Sequence, residues 1–284
     1  MGGTFARPAD QFPEVFTAKF WRDYPYFLSA AAPSVVVLAI FIFTALYFKE
    51  TVASSITPEH PPAHVPLNGL MTLPIIISIA NYVTLAFLNI SVNALLSLFF
   101  HMPIELGGLN LHPVHIGYVM GLYAAGTGSF QMFFFAKLVK RYGTRNIFIW
   151  SVASFLPAFM LFPVVSLVAK SRGVNWGVWV LVFIISFLLF FMHTAYGCIY
   201  IYVTESAPTR RSLCATNGLA QTTVSTARAI GPAISTSLFS LSIQHNIMGG
   251  YGVYFIMTAF IMLALLLAVQ LPEKMWGSEE GESA

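Results

Sequence analysis

Apolar runs long enough to cross a bilayer recur seven times along the chain, separated by polar or proline-rich links. They cover residues 25–48, 73–100, 114–138, 147–168, 178–203, 215–241 and 251–271, and each predicts a membrane helix. Polar side chains are distributed unevenly among them. Asn81, Asn89 and Asn93 lie in the second run, Gln131 in the third, His193 in the fifth, and Asn217, Gln221 and Arg228 in the sixth. The first, fourth and seventh hold no Asn, His or charge, and only Gln270 near an end. From the second run to the seventh the order is therefore polar, polar, apolar, twice. Two three-helix repeats give this order if the first two helices of each face a cavity and the third stands behind them, as in transporters built from inverted repeats. The expected fold is an all-α membrane protein of seven transmembrane helices, the last six forming a 3+3 inverted-repeat half. The expected divisions are an external segment at 1–24, the first helix at 25–48, a link at 49–72, a six-helix domain at 73–271 and an acidic tail at 272–284. The link carries Pro58, Pro61, Pro62 and Pro66, which predict an extended segment.

The sixth run organises the rest. Asn217, Gln221, Ser225 and Arg228 follow one another at steps of four, four and three, which places them on one face of a helix. An arginine at a membrane helix centre costs about 2.5–3.5 kcal/mol on insertion scales, so Arg228 is expected to face protein or water rather than lipid. Two readings follow: a polar clamp between helices, or the lining of a solute path. An ionisable residue inside the membrane favours the path. Asn89, Asn93, Gln131 and His193 are expected to line it with the sixth helix.

The third run has a different face. Gly117, Gly121, Ala125 and Gly128 form a small-residue stripe that lets another helix approach closely, in static packing or in a rocking contact. Pro33, Pro157, Pro163 and Pro232 fall inside runs, where each removes a backbone hydrogen bond.

Composition agrees with this pattern. Hydrophobic residues make up 57% of the 284 and charged residues only 9%, which excludes a soluble domain. The net charge of +3 is small and scattered, which argues against a nucleic-acid partner. The two cysteines, Cys198 and Cys214, provide neither a disulfide framework nor metal-ligand spacing. Lys137, Lys140, Arg141 and Arg145 follow the third helix, and Arg210 and Arg211 follow the fifth. By the excess of Lys and Arg on the cytoplasmic side, those loops and the C-terminus face the cytoplasm. The basic N-terminus, with Arg7, Lys19 and Arg22, then lies outside, against the rule. Asp10, Pro13 and Glu14 interrupt the N-terminus and exclude a signal peptide.

Several tempting groups are discounted. His112 and His115 flank Pro113 near His101 and Glu105, and His60 and His64 sit in the proline-rich link, so no metal site is expected. Asn89-Ile90-Ser91 matches a glycosylation acceptor but lies within a span. No motif for a cofactor, a phosphate or a catalytic nucleophile is present, so neither an enzyme nor a cofactor is expected. No carboxylate lies within the membrane runs, which leaves His193 as the group there that can titrate near neutral pH.

The segments FWRDYPYFLSAAAP, PIELGGLNLHPVHIGYVMG, FFAKLVKRYGTRNIF, AYGCIYIYVTESAPTRRSL and NGLAQTTVSTARAIGPAISTSLF resemble the C-terminal half of a major facilitator superfamily transporter. The type they resemble is the fungal drug:proton antiporter related to tetracycline-efflux and zinc-induced-facilitator-like carriers. The resemblance implies that FFAKLVKRYGTRNIF is the second copy of the superfamily's short basic gating motif. Leu138, Arg141, Gly143 and Arg145 then take its leucine, arginine, glycine and second basic positions. Lys140 stands where the motif usually has aspartate, which puts the charge-relay role in doubt and leaves an anchoring one. Cys214 and Ser29 stand where such sequences tend to have glycine and proline. Gly2 and Gly3 resemble the tail of the fifth helix's antiporter motif. The resemblance thus implies a chain truncated at its N-terminus, without the acids that usually couple protons.

These readings converge on a secondary transporter, or its C-terminal half, that moves a small organic solute across a lipid bilayer, with protons as counter-ion and efflux as the direction. The expected location is the plasma or vacuolar membrane, and the missing half or a dimer partner is needed for transport. The alternatives are a seven-helix receptor and a non-transporting half-carrier that pairs with a full-length transporter. The third run lacks an Asp-Arg-Tyr-like end and the seventh lacks Asn-Pro-x-x-Tyr, both of which count against the receptor.

Overall fold

A computed structural model describes residues 8–12, 14–48, 71–208 and 212–272. The link at 49–70 with His60 and His64, the pair Arg210 and Arg211, residues Gly2, Gly3 and Arg7, and the tail at 273–284 lie outside the described residues. Ten α-helices are described: α1 (Pro8–Gln11), α2 (Lys19–Asp23), α3 (Phe27–Tyr47), α4 (Leu73–His101), α5 (Pro113–Tyr142), α6 (Thr144–Ala153), α7 (Phe155–Arg172), α8 (Trp176–Glu205), α9 (Leu213–Gln244) and α10 (Gly252–Val269).

All seven apolar runs are helical. Five helical stretches are both long and apolar enough to cross a membrane: α3, α4, α6 with α7, α8 and α10. At 30 and 32 residues, α5 and α9 have the length but not the apolarity, because glycine, serine, threonine and amide side chains dilute them. The fourth run, expected as one helix, forms one span whose ladder is weakened at Ser154, which keeps helical angles. Pro157 has no N–H to give the Ala153 carbonyl, and Ser154 Oγ donates to the carbonyls of Ser151 and Leu188 beside it.

The described residues fall into two compact units, one of residues up to 48 with 112–122, the other of residues 71–111 with those from 123 to 272. In the first unit an aromatic knot precedes α3. Phe20 meets Trp21, Tyr24 and Phe27 with ring centroids 5.1–5.3 Å apart. Amphipathic rings of this kind favour a membrane–water interface. α3 buries none of its residues and is apolar all round, as expected of a helix whose solvent is lipid.

In the second unit α4, α8, α10 and the α6–α7 pair form the core. α4 buries residues on both sides, among them Ile75, Tyr82, Leu85, Leu88, Val92, Leu95 and Phe99. It packs most extensively on α9, and also on α8 and α10. α8 in turn packs on α6 and α7. The two apolar members of the polar-polar-apolar order meet each other: Phe162 of α7 stacks on Tyr254 of α10 at 5.2 Å and 11°. The side of α9 that is buried is small, with Thr216, Ala220, Val224, Ala227, Gly231 and Ser235 at steps of four, four, three, four and four. A Cβ at Gly231 would stand 2.5 Å from Ile90 Cγ2, so glycine is what lets α9 and α4 close.

The small-residue stripe of α5 is open among the described residues. Ideal Cβ atoms at Gly121 and Gly128 meet nothing within 4 Å, and Gly117 is only half-buried. On α5 the close approach comes one residue off the stripe, at Gly126, where a Cβ would fall 2.6 Å from Phe190.

Candidate functional site

His193, Tyr196 and Tyr200 sit at steps of three and four, so one face of α8 carries an imidazole and two phenols. Tyr196 stacks on His193 with centroids 6.1 Å apart and 26° between planes. On the α5 side, Tyr123 Oη and His193 Nε2 share a hydrogen bond of 2.9 Å. Gln131, two turns further along α5, donates to the His193 backbone carbonyl. On the α9 side, the Arg228 guanidinium carbon lies 5.9 Å from the Tyr196 ring centroid, within cation–π range.

α4 closes the other flank. Tyr82 is fully buried; its ring meets Tyr196 edge-on at 6.2 Å and Tyr200 at 5.3 Å. Its hydroxyl donates to Tyr200 Oη at 2.8 Å and accepts from Gln221 Nε2 at 3.2 Å. Asn89 and Asn93 follow Tyr82 by seven and eleven residues on the same face. Asn93 donates to the Asn89 carbonyl at 2.8 Å and to its side-chain oxygen at 3.3 Å, while Asn89 Nδ2 lies 3.6 Å from Met192 Sδ. A cavity of about 380 Å³, lined by Gly128, Gln131, Met132, Phe135 and Gly197, opens one turn from His193.

The structure thus joins Gln221, Arg228, His193, Gln131 and Asn89 around α8, with Asn93 bonded to Asn89 one turn along α4. It leaves Ser225 exposed and Asn217 half-buried, one and three turns from Arg228. Asn81 turns away: its amide donates to the Leu267 carbonyl at 3.2 Å and ties α4 to α10. The basic motif forms a separate cluster at another helix end. Gly143 has φ +81°, the left-handed region that favours glycine, and turns the chain from α5 into α6. Arg145 Nη2 donates 2.8 Å to the Val269 carbonyl, the last residue of α10. Arg141 lies 5.4 Å from the Tyr142 ring, and Lys140 is exposed. No group of three or more His, Cys, Asp or Glu able to hold a metal occurs among the described residues.

Tyr82, Tyr123, Tyr196 and Tyr200 were not among the expected site residues. The signal available for two of them was their spacing from His193 on the fifth run.

A helical chain with several membrane-length apolar helices and a polar, aromatic face between them defines an integral multi-pass membrane protein. The chain belongs to the Major Facilitator Superfamily, whose family pattern matches residues 16–232. It is similar to the major facilitator-type transporter psiT2 of Psilocybe cubensis, with 25% identity across 88% of this chain and 57% of that protein. It is 24% identical to ZINC INDUCED FACILITATOR 1 of Arabidopsis thaliana across 94% of this chain and 60% of that protein. It is 21% identical to the efflux pump azaK of Aspergillus niger across 96% of this chain and 57% of that protein. The chain therefore spans 57–60% of the length of these relatives. No solved structure matches it.

Proposed function

We propose that this chain forms the C-terminal, solute-lining part of a secondary transporter that exports a small organic solute in exchange for protons. Its C-terminus faces the cytoplasm of a plasma or vacuolar membrane. The path runs along α4, α5, α8 and α9, and the basic cluster at Gly143 to Arg145 anchors the helix ends. One observation carries this reading. Arg228 sits at the sixteenth of the 32 positions of α9, half-buried, with a tyrosine face beside it. Tyr196 also meets the guanidinium by hydrogen bonding. An ionisable side chain at mid-helix that keeps part of its surface open is placed to meet water or solute rather than lipid.

Glu105 and Glu205 are the only carboxylates between residues 71 and 272, and both lie at helix ends or in links. His193 is the remaining titratable group on the path, and we assign it the proton. The test uses vesicles with trapped pyranine, a panel of neutral, anionic and cationic aromatic solutes, and an imposed pH gradient. Solute-dependent proton movement is expected from the wild type and not from His193→Gln. Arg228→Ala is expected to abolish solute movement at normal membrane expression. Normal flux in Arg228→Ala would exclude Arg228 from the path, and gradient-driven flux in His193→Gln would exclude His193 as the proton site.

A further inference from the structure

The same face has a direction of polarity that selects a charge. Gln221 Nε2 donates to Tyr82 Oη, and Tyr82 Oη donates to Tyr200 Oη. Tyr200 therefore receives a hydrogen and has its own O–H to give onward. Tyr200 is 43% exposed, unlike the buried Tyr82 behind it. The relay thus ends on a donor, and Arg228, five donors and no acceptor, stands beside it across Tyr196. No Asp or Glu lies on α4, α5 or α9, and α8 has one only at its last residue, Glu205. A cationic solute finds no counter-charge along these helices, whereas an anion finds a guanidinium and a hydroxyl donor.

The second property of the face is aromatic. Tyr196 is stacked on His193, Tyr82 and Tyr200 meet at 66°, and Tyr123 stacks on Phe190 at 5.7 Å and 19°. Flat rings bind another ring by offset or edge contact, worth about 0.5–1.5 kcal/mol beyond the area buried.

Resting on the transport reading above, we infer that the solute class is the small aromatic anion, a carboxylate or sulfonate on a planar ring system. Its charge meets Arg228 and the Tyr200 hydroxyl, and its ring lies against the exposed Tyr200 ring. Neutral aromatics of the same size bind less well, and aromatic ammonium ions are rejected for lack of a counter-charge.

Four probes separate charge from ring: 2-naphthoate, its neutral amide, 2-naphthylmethylammonium, and cyclohexanecarboxylate as an anion without a π face. Equilibrium binding is measured on the full chain in lipid nanodiscs. Naphthoate is expected to bind about tenfold or more tighter than the ammonium ion, the scale of one charge-assisted hydrogen bond, and about threefold to tenfold tighter than cyclohexanecarboxylate, the scale of one aromatic contact. Arg228→Gln is expected to remove the preference over the ammonium ion and leave naphthamide binding within about threefold, while Arg228→Lys keeps part of it. The wild-type comparison needs no variant, so a misfolded Arg228→Gln does not blunt the test. Equal or tighter binding of the ammonium ion overturns the anion class, as does naphthoate binding that survives Arg228→Gln intact. Binding by none of the four also overturns it. The transport reading fails separately: naphthoate bound with the stated preference, yet no flux of any solute across vesicles, leaves the binding class standing and removes the carrier.

Discussion

The Tyr82 hydroxyl is held between a donor, Gln221, and an acceptor, Tyr200, at the seam of three helices. Interhelical hydrogen bonds measured inside a membrane average about 0.6 kcal/mol, because the separated helices also find partners. A double-mutant cycle of Tyr82→Phe and Gln221→Leu is thus expected to show a coupling of about 0.6 kcal/mol in reversible unfolding from bicelles. A coupling indistinguishable from zero would mean that the bond is not made in the membrane. At this scale the sequence shows half of the site. Gln221, Arg228, His193 and Gln131 stand out because a polar side chain in an apolar run is costly, and the structure places all four around α8. Tyr82, Tyr123, Tyr196 and Tyr200 do not stand out, because a tyrosine ring counts as apolar until the position of its hydroxyl is known. Asn81 shows the converse. It resembles Asn89 and Asn93 in type, but its place on the helix turns it toward the Leu267 carbonyl and a purely structural bond.

Among the helices the decisive contact is the α4–α9 seam. Gly231→Val would drive a branched side chain into Ile90, whose Cγ2 lies 2.5 Å from the first added carbon, and would approach the Phe87 carbonyl at 3.8 Å. Overpacking of this kind costs about 1–3 kcal/mol. Gly128→Ala meets open space, and alanine in a helix is favoured over glycine by about 0.5–1 kcal/mol. Thermal unfolding of the purified chain is expected to fall for Gly231→Val and to hold or rise for Gly128→Ala; the reverse order would refute the seam. A second contact is the Arg145 bond to the end of α10. Arg145→Ala is expected to speed amide hydrogen exchange at residues 267–271 while leaving the centre of α4 unchanged, and equal exchange at 267–271 in the wild type and Arg145→Ala would remove its anchoring role. Small residues at four-residue spacing were legible on α5, but spacing does not say which stripe is covered. The covered one is on α9, where it is mixed with Val224 and Thr216 and so harder to see. The weakened ladder at Ser154 had a visible cause in Pro157, whereas Pro163 and Pro232 lie inside regular helices.

For the whole molecule the question is what covers the apolar surface. Val35, Phe41 and Leu46 of α3 are 65–75% exposed, and α5 buries only Tyr123. Lipid suits α3, but α5 carries Gln131 and Thr127 together with the open glycines, a surface poorly matched to hydrocarbon alone. The polar-polar-apolar order made the helical class and the apolar supports legible. It could not show what faces the polar side, since the chain spans 57–60% of its relatives' length and pattern alone does not specify a partner. Alternating access requires two bodies that rock against each other around a midplane site. If this chain works without a further segment, the second body is another copy, and the open stripe of α5 is where the copies meet. Single-molecule photobleaching in lipid vesicles is then expected to show two copies per active particle. Gly128→Trp would fill the stripe, halve the copy number and abolish flux without lowering the unfolding temperature. Solitary copies that carry solute would show that one half suffices, and the rocking model for this chain would fall. Dimers untouched by Gly128→Trp would move the contact off α5.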